Sequence, residues 1–167
     1  MQLVSESLGK YTTRNDRNNK LFLTPIKAIG VNDQHSQLQL YVEGSNNKTI
    51  LFISGEKSHN FDISIDGTLT SLNELMNTEL NATMLSLYDH NKPTILLDLS
   101  AIDEAHIGEL IMTMQIAVAY MGELMDIDAY NQPGVEQVKS YTYELISNEK
   151  SKLNDTLERL NKTNETI

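Results

Sequence analysis

The stretch that decides the fold runs from Gly122 to Lys139 and reads GELMDIDAYNQPGVEQVK. A long apolar segment leads into it and predicts a helix from Asp103 to Asp126. The sequence Asn-Gln-Pro-Gly at 131–134 predicts a turn, because proline and glycine both interrupt helices. A further helix, from Gly134 to about Asn148, then carries Lys139. The stretch therefore predicts two helices joined by a turn.

Strands and helices alternate through the preceding part of the chain. The short apolar runs Thr49–Ile53 and Ile95–Leu99 predict strands covered on both faces. Four further elements are predicted: a strand over Leu21–Ile29 that Pro25 weakens, a helix over Gln34–Val42 capped by Asp33, an edge strand over Phe61–Ile65, and a helix over Leu69–Tyr88. This order predicts an α/β fold with an open, mostly parallel sheet flanked by helices.

Composition excludes several classes of function. The 167 residues include 13 basic and 23 acidic side chains, for a net charge of −10, and no cysteine. A surface with this much negative charge should repel nucleic acid and anionic membranes. The longest apolar run, Ile107–Met125, contains charged residues and predicts a buried helix rather than a membrane span. Histidines and carboxylates lack metal-ligand spacing, and no glycine-rich nucleotide loop occurs, so no metal or cofactor is predicted.

Three segments resemble glucose-6-phosphate isomerases. Gln2–Lys10 (QLVSESLGK) and Asn32–Gln39 (NDQHSQLQ) resemble two internal segments of that family. The third resembles its C-terminal signature through Gly122, Leu124, Met125, Tyr130, Asn131, Gln132, Gly134, Val135, Glu136 and Lys139. The resemblance implies a sugar-isomerase-type domain over residues 1–146, an incomplete second domain of a two-domain enzyme. Residues 147–167 would form a polar tail that extends the last helix or frays.

The resemblance implies an activity and its residues. The family interconverts glucose 6-phosphate and fructose 6-phosphate through an enediol, in glycolysis and gluconeogenesis, without a cofactor and in the cytoplasm. By position, Glu6 would transfer the proton, His35 and Lys139 would open the sugar ring, and Gln2 and Gln132 would contact the substrate. The family also implies a homodimer in which His35 completes the neighbouring subunit's site.

The chain departs from the family in extent. Family members are much longer and have a Ser/Thr-rich phosphate loop and a Gly-Gly-Arg segment that this sequence lacks. We therefore expect a truncated isomerase with little activity alone. A non-catalytic sugar-phosphate-binding or regulatory module of the same fold, and an isomerase that also accepts mannose phosphate, remain alternatives. Without the resemblance, Gln2, Glu6 and Lys139 would be interpreted as helical surface residues and His35 as a helix cap.

Overall fold

A computed structural model describes residues 1–15, 18, 23–55, 61–147 and 153–164 of the chain. Its helices in these residues are α1 (Gln2–Leu8), α2 (Asn32–Glu43), α3 (Leu72–Asp89), α4 (Glu104–Leu124), α5 (Pro133–Ile146) and α6 (Asn154–Asn164). Its strands in the same residues are β1 (Ile50–Gly55), β2 (Asp62–Ile65), β3 (Thr68–Ser71) and β4 (Thr94–Leu99). The alternation of strands and helices confirms the predicted α/β class.

The chain divides into two compact units. The first unit contains Pro25–Ala117, and the second contains Gln2–Thr24 and Val118–Ile167. Helix α4 begins in the first unit and ends in the second. The predicted boundary between residues 146 and 147 stays a prediction. Helix α6 lies in the predicted tail, of which residues 148–152 and 165–167 lie outside the described part.

The first unit contains a parallel pair of strands. Strands β1 and β4 pair in parallel from Ile50 opposite Thr94 to Gly55 opposite Leu99. The prediction that both faces of these strands are covered was wrong. Side chains at Ile53 and Ile95 are 52% and 51% exposed. Because only these two strands form this sheet in the described residues, much of its surface has no covering layer.

A hairpin precedes α3 in the first unit. Strands β2 and β3 pair antiparallel around Asp66 and Gly67, which both have positive φ angles of 48° and 82°. Asp-Gly favours such two-residue turns because both positions need left-handed backbone. The helix predicted to start at Leu69 therefore begins at Leu72, after a strand that the prediction missed. The Ser71 hydroxyl caps it by accepting a hydrogen bond from the Glu74 N–H at 3.1 Å.

Two further predictions before β1 were wrong. Residues 23–29 form no strand, and Pro25 offers no N–H for strand pairing; Leu21 and Phe22 lie outside the described residues. Asp33 is not the cap of α2, because the cap position is Val31. The Asp33 carboxylate instead lies in the first turn and accepts a hydrogen bond from the Ile29 N–H at 2.6 Å.

The second unit has its core around the end of α4. Five buried apolar side chains form this core: Leu8, Val118, Met125, Ile127 and Ala129. Helix α4 ends at Leu124, slightly before the predicted Asp126, and not at the Asn-Gln-Pro-Gly turn. Asp126 adopts a left-handed φ of 55°, and the Ile127 N–H bonds to the Gly122 carbonyl at 3.0 Å. This is the hydrogen-bond pattern of a Schellman C-cap, which reverses the chain direction.

Helix α4 is more exposed than its sequence predicts. Only Val118 and Gly122 are buried along it. Large apolar side chains that are 39% to 83% exposed are Ile107, Ile111, Met112, Ile116, Tyr120 and Leu124. The prediction of a buried helix was therefore wrong, because the described residues cover only a narrow part of a helix whose apolar side chains extend well beyond that part. None of the helices in the described ranges is long and apolar enough to cross a membrane.

Candidate functional site

Three of the predicted site residues meet in the second unit. The Gln2 side-chain Nε2 donates to Oε1 of Glu6 at 2.8 Å. The Gln132 Nε2 donates to the other oxygen, Oε2, at 2.9 Å, across 126 residues of sequence. The Glu6 side chain is half-buried. Two neutral amides thus hold both oxygens of a single carboxylate.

The backbone explains why these side chains converge. Gln2 and Glu6 lie four residues apart on α1, so they share one face of the helix. Gln132 is the cap residue of α5, and its carbonyl accepts hydrogen bonds from the N–H groups of Val135 and Glu136, each at 3.1 Å. Pro133 follows at the first helical position, where its missing N–H costs nothing. Gln132 is therefore fixed at the point where α5 begins.

The segment before Gln132 is held by Asp128. Its Oδ1 accepts from the Tyr130 N–H at 2.9 Å, and its Oδ2 accepts from the Asn131 Nδ2 at 2.7 Å. Such an Asx turn fixes the backbone without a glycine. Ile127 and Ala129 flank Asp128 in the sequence, are 0% and 6% exposed, and fix the same segment to the core.

Lys139 lies two helical turns beyond Gln132. A separation of seven residues puts the two on one side of α5, roughly 10 Å apart along its axis. The Lys139 Nζ donates to Oε1 of Glu136 at 2.7 Å, and both side chains are about two-thirds exposed. An exposed pair of this kind is weak. The ammonium group can therefore leave Glu136 for a stronger anionic partner.

His35 belongs to the first unit. It lies in the first turn of α2, and its side chain is exposed. The neighbouring Gln34 bonds to α3, because its Nε2 donates to the Thr83 hydroxyl at 2.9 Å. Since Thr83 is buried at 8% exposure, this contact fixes the start of the helix that carries His35. The structure thus groups Gln2, Glu6 and Gln132, and it describes His35 within a separate unit.

Lys10 is a buried residue that the site predictions did not include. It is 8% exposed, and its Nζ donates to the backbone carbonyls of Glu6, at 2.9 Å, and of Asn131. Burial lowers the pKa of Lys10, while the nearby Asp128 carboxylate raises it. A lysine directly after the glycine that ends a helix is the sequence signal for such a role, because cations stabilise helix C-termini.

A hydrogen-bonded series of three side chains lies at the start of α4 in the first unit. The His106 ring bonds to Asp103 Oδ1 through Nδ1 at 2.6 Å and to Ser100 Oγ through Nε2 at 2.9 Å. Asp103 also accepts the His106 backbone N–H, which, with the ring contact, lowers the pKa of its carboxyl. This backbone bond makes Asp103 the cap of α4. No group of three or more potential metal ligands occurs in the described part of the chain.

Comparison with known proteins identifies relatives. The glucose-6-phosphate isomerase of Carboxydothermus hydrogenoformans is 37% identical over 161 residues, which cover 89% of this chain and 34% of that protein. The glucose-6-phosphate isomerase of Methanocaldococcus jannaschii is 36% identical over 151 residues, which cover 87% of this chain and 36% of that protein. No family model matches the chain.

A solved structure has the same fold. The crystal structure of a hypothetical protein from Thermus thermophilus superposes with a TM-score of 0.78 at 29% identity, over 87% of this chain and 36% of that one. The chain spans about a third of the length of the curated relatives it matches. Over that length, this chain is similar to glucose-6-phosphate isomerases at 35% to 37% identity.

Proposed function

We propose that this chain supplies part of the active site of an enzyme that interconverts glucose 6-phosphate and fructose 6-phosphate. One observation carries the proposal. Gln2 and Gln132, which the family resemblance assigns to substrate contact, come from distant parts of the sequence and both donate to Glu6. An arrangement in which two neutral amides aim one carboxylate suits a general base, since the base must be oriented before the substrate arrives.

The chemistry requires one proton to move between neighbouring carbons. Glu6 would take the proton from C2 of the open-chain aldose, which leaves an enediolate. A proton would then pass from O2 to O1, and the protonated Glu6, which can exchange its proton with solvent, would deliver a proton to C1 to form the ketose. A carboxylate has about four lone-pair positions, so one amide on each oxygen leaves positions open for the substrate. Because the amides carry no charge, they orient Glu6 without neutralising it.

His35 and Lys139 would complete the reaction. His35 would exchange the proton needed to open the sugar ring, since an imidazole can both donate and accept a proton. Lys139 would leave its exposed pair with Glu136 and balance the negative charge that develops on the enediol oxygen. Both residues would act from helices, which hold side chains more rigidly than loops do.

The rest of the proposal concerns assembly. We propose that the active enzyme is a cytoplasmic homodimer in which His35 serves the neighbouring subunit's site. In a complete enzyme that contains this chain, mixed dimers of His35→Ala and Glu6→Ala subunits should then regain part of the activity that each variant lacks. If the mixtures stay inactive while mixed dimers form, sharing of sites between subunits is excluded.

The experiment that tests the function uses a complete enzyme. This chain replaces the matching third of the Carboxydothermus hydrogenoformans isomerase, and conversion of fructose 6-phosphate is followed through a coupled dehydrogenase. We expect the chimera to turn over, and Glu6→Gln to lower kcat by about 10²- to 10⁴-fold, the usual contribution of a general base. Glu109→Gln, an exposed carboxylate on α4, is the matched control and should leave kcat unchanged.

Two outcomes would contradict the proposal. One is a folded, active chimera in which Glu6→Gln retains full kcat. The other is a folded chimera that binds the sugar phosphate but never turns it over, which would favour the sugar-phosphate-binding module instead. The separate 167-residue chain should show little or no turnover in the same assay.

A further inference from the structure

Lys10 bonds to the backbone on both sides of the Glu6–Gln132 contact. One hydrogen bond from its Nζ goes to the carbonyl of Glu6 itself, and another goes to the carbonyl of Asn131, the residue before Gln132. The two side chains that meet at 2.9 Å therefore belong to backbone segments that share one ammonium group. These segments lie more than 120 residues apart in sequence.

From this geometry we infer that Lys10 is a positioning residue, which holds the Glu6 carboxylate within hydrogen-bonding distance of the Gln132 amide. The inference rests on the proposed function, because positioning Glu6 matters for catalysis only if Glu6 is the base. The hydrogen bonds of Lys10 themselves do not depend on that function. At 8% exposure, Lys10 has little access to solvent. Two of its hydrogen bonds go to backbone carbonyls, which suits a role in fixing the backbone.

The surroundings of Lys10 explain why a charged group is retained in a buried place. The last carbonyls of a helix have no partners within the helix and carry a partial negative charge, which a cation stabilises. Glu6 lies in the last turn of α1 and supplies one such carbonyl. Asp128, which also holds the Asn131 side chain, supplies a full negative charge nearby. An apolar side chain in place of Lys10 would leave both carbonyls without their donor.

The chain contains a matched lysine for comparison. The Lys92 Nζ donates to the Gly44 carbonyl at 2.8 Å, where Gly44 ends α2 in the first unit. Lys10 and Lys92 are therefore both partly or fully buried lysines that bond to carbonyls at helix ends. Of these two lysines, Lys10 is the one bonded to the segments that carry Glu6 and Gln132.

The test follows the Gln132 side-chain amide by NMR in the ¹⁵N-labelled 167-residue chain. As pH is lowered, protonation of Glu6 should shift the Gln132 Nε2 resonances, and Glu6→Gln should abolish that shift. In Lys10→Met we expect the pH-dependent shift to fall by at least half, while Lys92→Met retains it. A Lys10→Met chain that keeps the full shift would overturn the positioning role.

Further measurements distinguish a wrong site geometry from a wrong role for Lys10. If the Gln132 Nε2 resonances do not respond to protonation of Glu6 in the unsubstituted chain, the hydrogen bond between the two side chains is absent. The observation behind the proposed function is then wrong as well. If Lys10→Met does not give a dispersed spectrum, Lys10→Gln, which removes the ammonium group and shortens the side chain, is judged by the same criterion. In the active chimera, Lys10→Met should lower kcat with little change in KM; an unchanged kcat would also overturn the inference.

Discussion

Gly122 allows the end of α4 to approach the segment that follows it. A Cβ atom at this position would lie 2.7 Å from the Cβ of Ala129, whereas carbon atoms pack best at about 3.5–4.0 Å. Ala129 is 6% exposed and belongs to the core of the second unit. It cannot move aside cheaply, because the hydrogen bonds of Asp128 hold its neighbours. We therefore predict that Gly122→Ala destabilises the chain.

The magnitude follows from two opposing effects. Alanine is favoured over glycine inside a helix by about 1 kcal/mol. Overpacking a closed core costs about 1–3 kcal/mol. The free energy of unfolding should therefore fall by up to about 2 kcal/mol in Gly122→Ala. Gly108, in the same helix, has open space where its Cβ would lie, so Gly108→Ala should instead raise the free energy of unfolding by up to about 1 kcal/mol.

The assay is urea unfolding followed by far-ultraviolet circular dichroism. The two glycine variants should change the midpoint in opposite directions. Ala129→Gly removes the methyl group that Gly122→Ala would meet, so the double variant should be more stable than the sum of the single effects predicts. If Gly122→Ala stabilises the chain as much as Gly108→Ala does, the close approach of α4 to Ala129 is wrong.

Three further predictions concern stability. Ser71→Ala removes the hydroxyl that caps α3 and should cost about 1 kcal/mol in urea unfolding; no loss would mean that the cap does not form. Hydrogen bonding from Arg14 lowers the pKa of Glu123, so Arg14→Met should raise that pKa in a ¹³C NMR titration. Because the folded pKa is lowered, the pair stabilises the chain above the ordinary glutamate pKa and loses this effect as pH falls through the folded value; an unchanged titration excludes the pair. Leu87→Ala should cost about 2–5 kcal/mol because the side chain is fully buried, whereas Leu124→Ala, at 83% exposure, should stay within about 0.5 kcal/mol; equal losses would contradict the burial difference.

Local patterns predicted most elements but not their ends. The sequence predicts a helix from Asp103 to Asp126, and α4 spans Glu104–Leu124, closed by a left-handed Asp126 rather than by the proline and glycine of the next turn. Aspartate tolerates that conformation less often than glycine does, so the signal is weak. The edge strand predicted over Phe61–Ile65 corresponds to β2, but the second strand of the hairpin was missed although Asp66-Gly67 marks the turn. The short strand Thr68–Ser71 contains one apolar residue, Leu69, which also fits the helical spacing of the apolar residues in α3. The pattern therefore did not distinguish the strand from the helix.

Burial could not be predicted from the chain alone. An apolar run indicates that a helix needs covering, but it does not say that the covering residues are present. Helix α4 has the composition of a central helix, and Tyr120 on it is 69% exposed. The relatives that match this chain are about three times as long.

The site was predictable in parts. Helix geometry alone places Gln2 beside Glu6, because four residues make about one turn. The contact of Gln132 with Glu6 depends on tertiary structure. The family resemblance assigned both residues to the substrate site but did not predict the contact between them. Lys10 carried no predicted role, since a lysine near a helix end is usually exposed. Its burial arises only when the segment before Gln132 packs against α1.

The most direct test of the central claim follows the transferred proton. The isomerase chimera that carries this chain is incubated with fructose 6-phosphate in D₂O, and ¹H NMR records deuterium entering at C1 of the ketose and C2 of the aldose. If Glu6 transfers the proton, exchange accompanies isomerisation, and Glu6→Gln lowers both rates by about 10²- to 10⁴-fold while the protein stays folded. Deuterium incorporation at an undiminished rate in Glu6→Gln would contradict the assignment of Glu6 as the base.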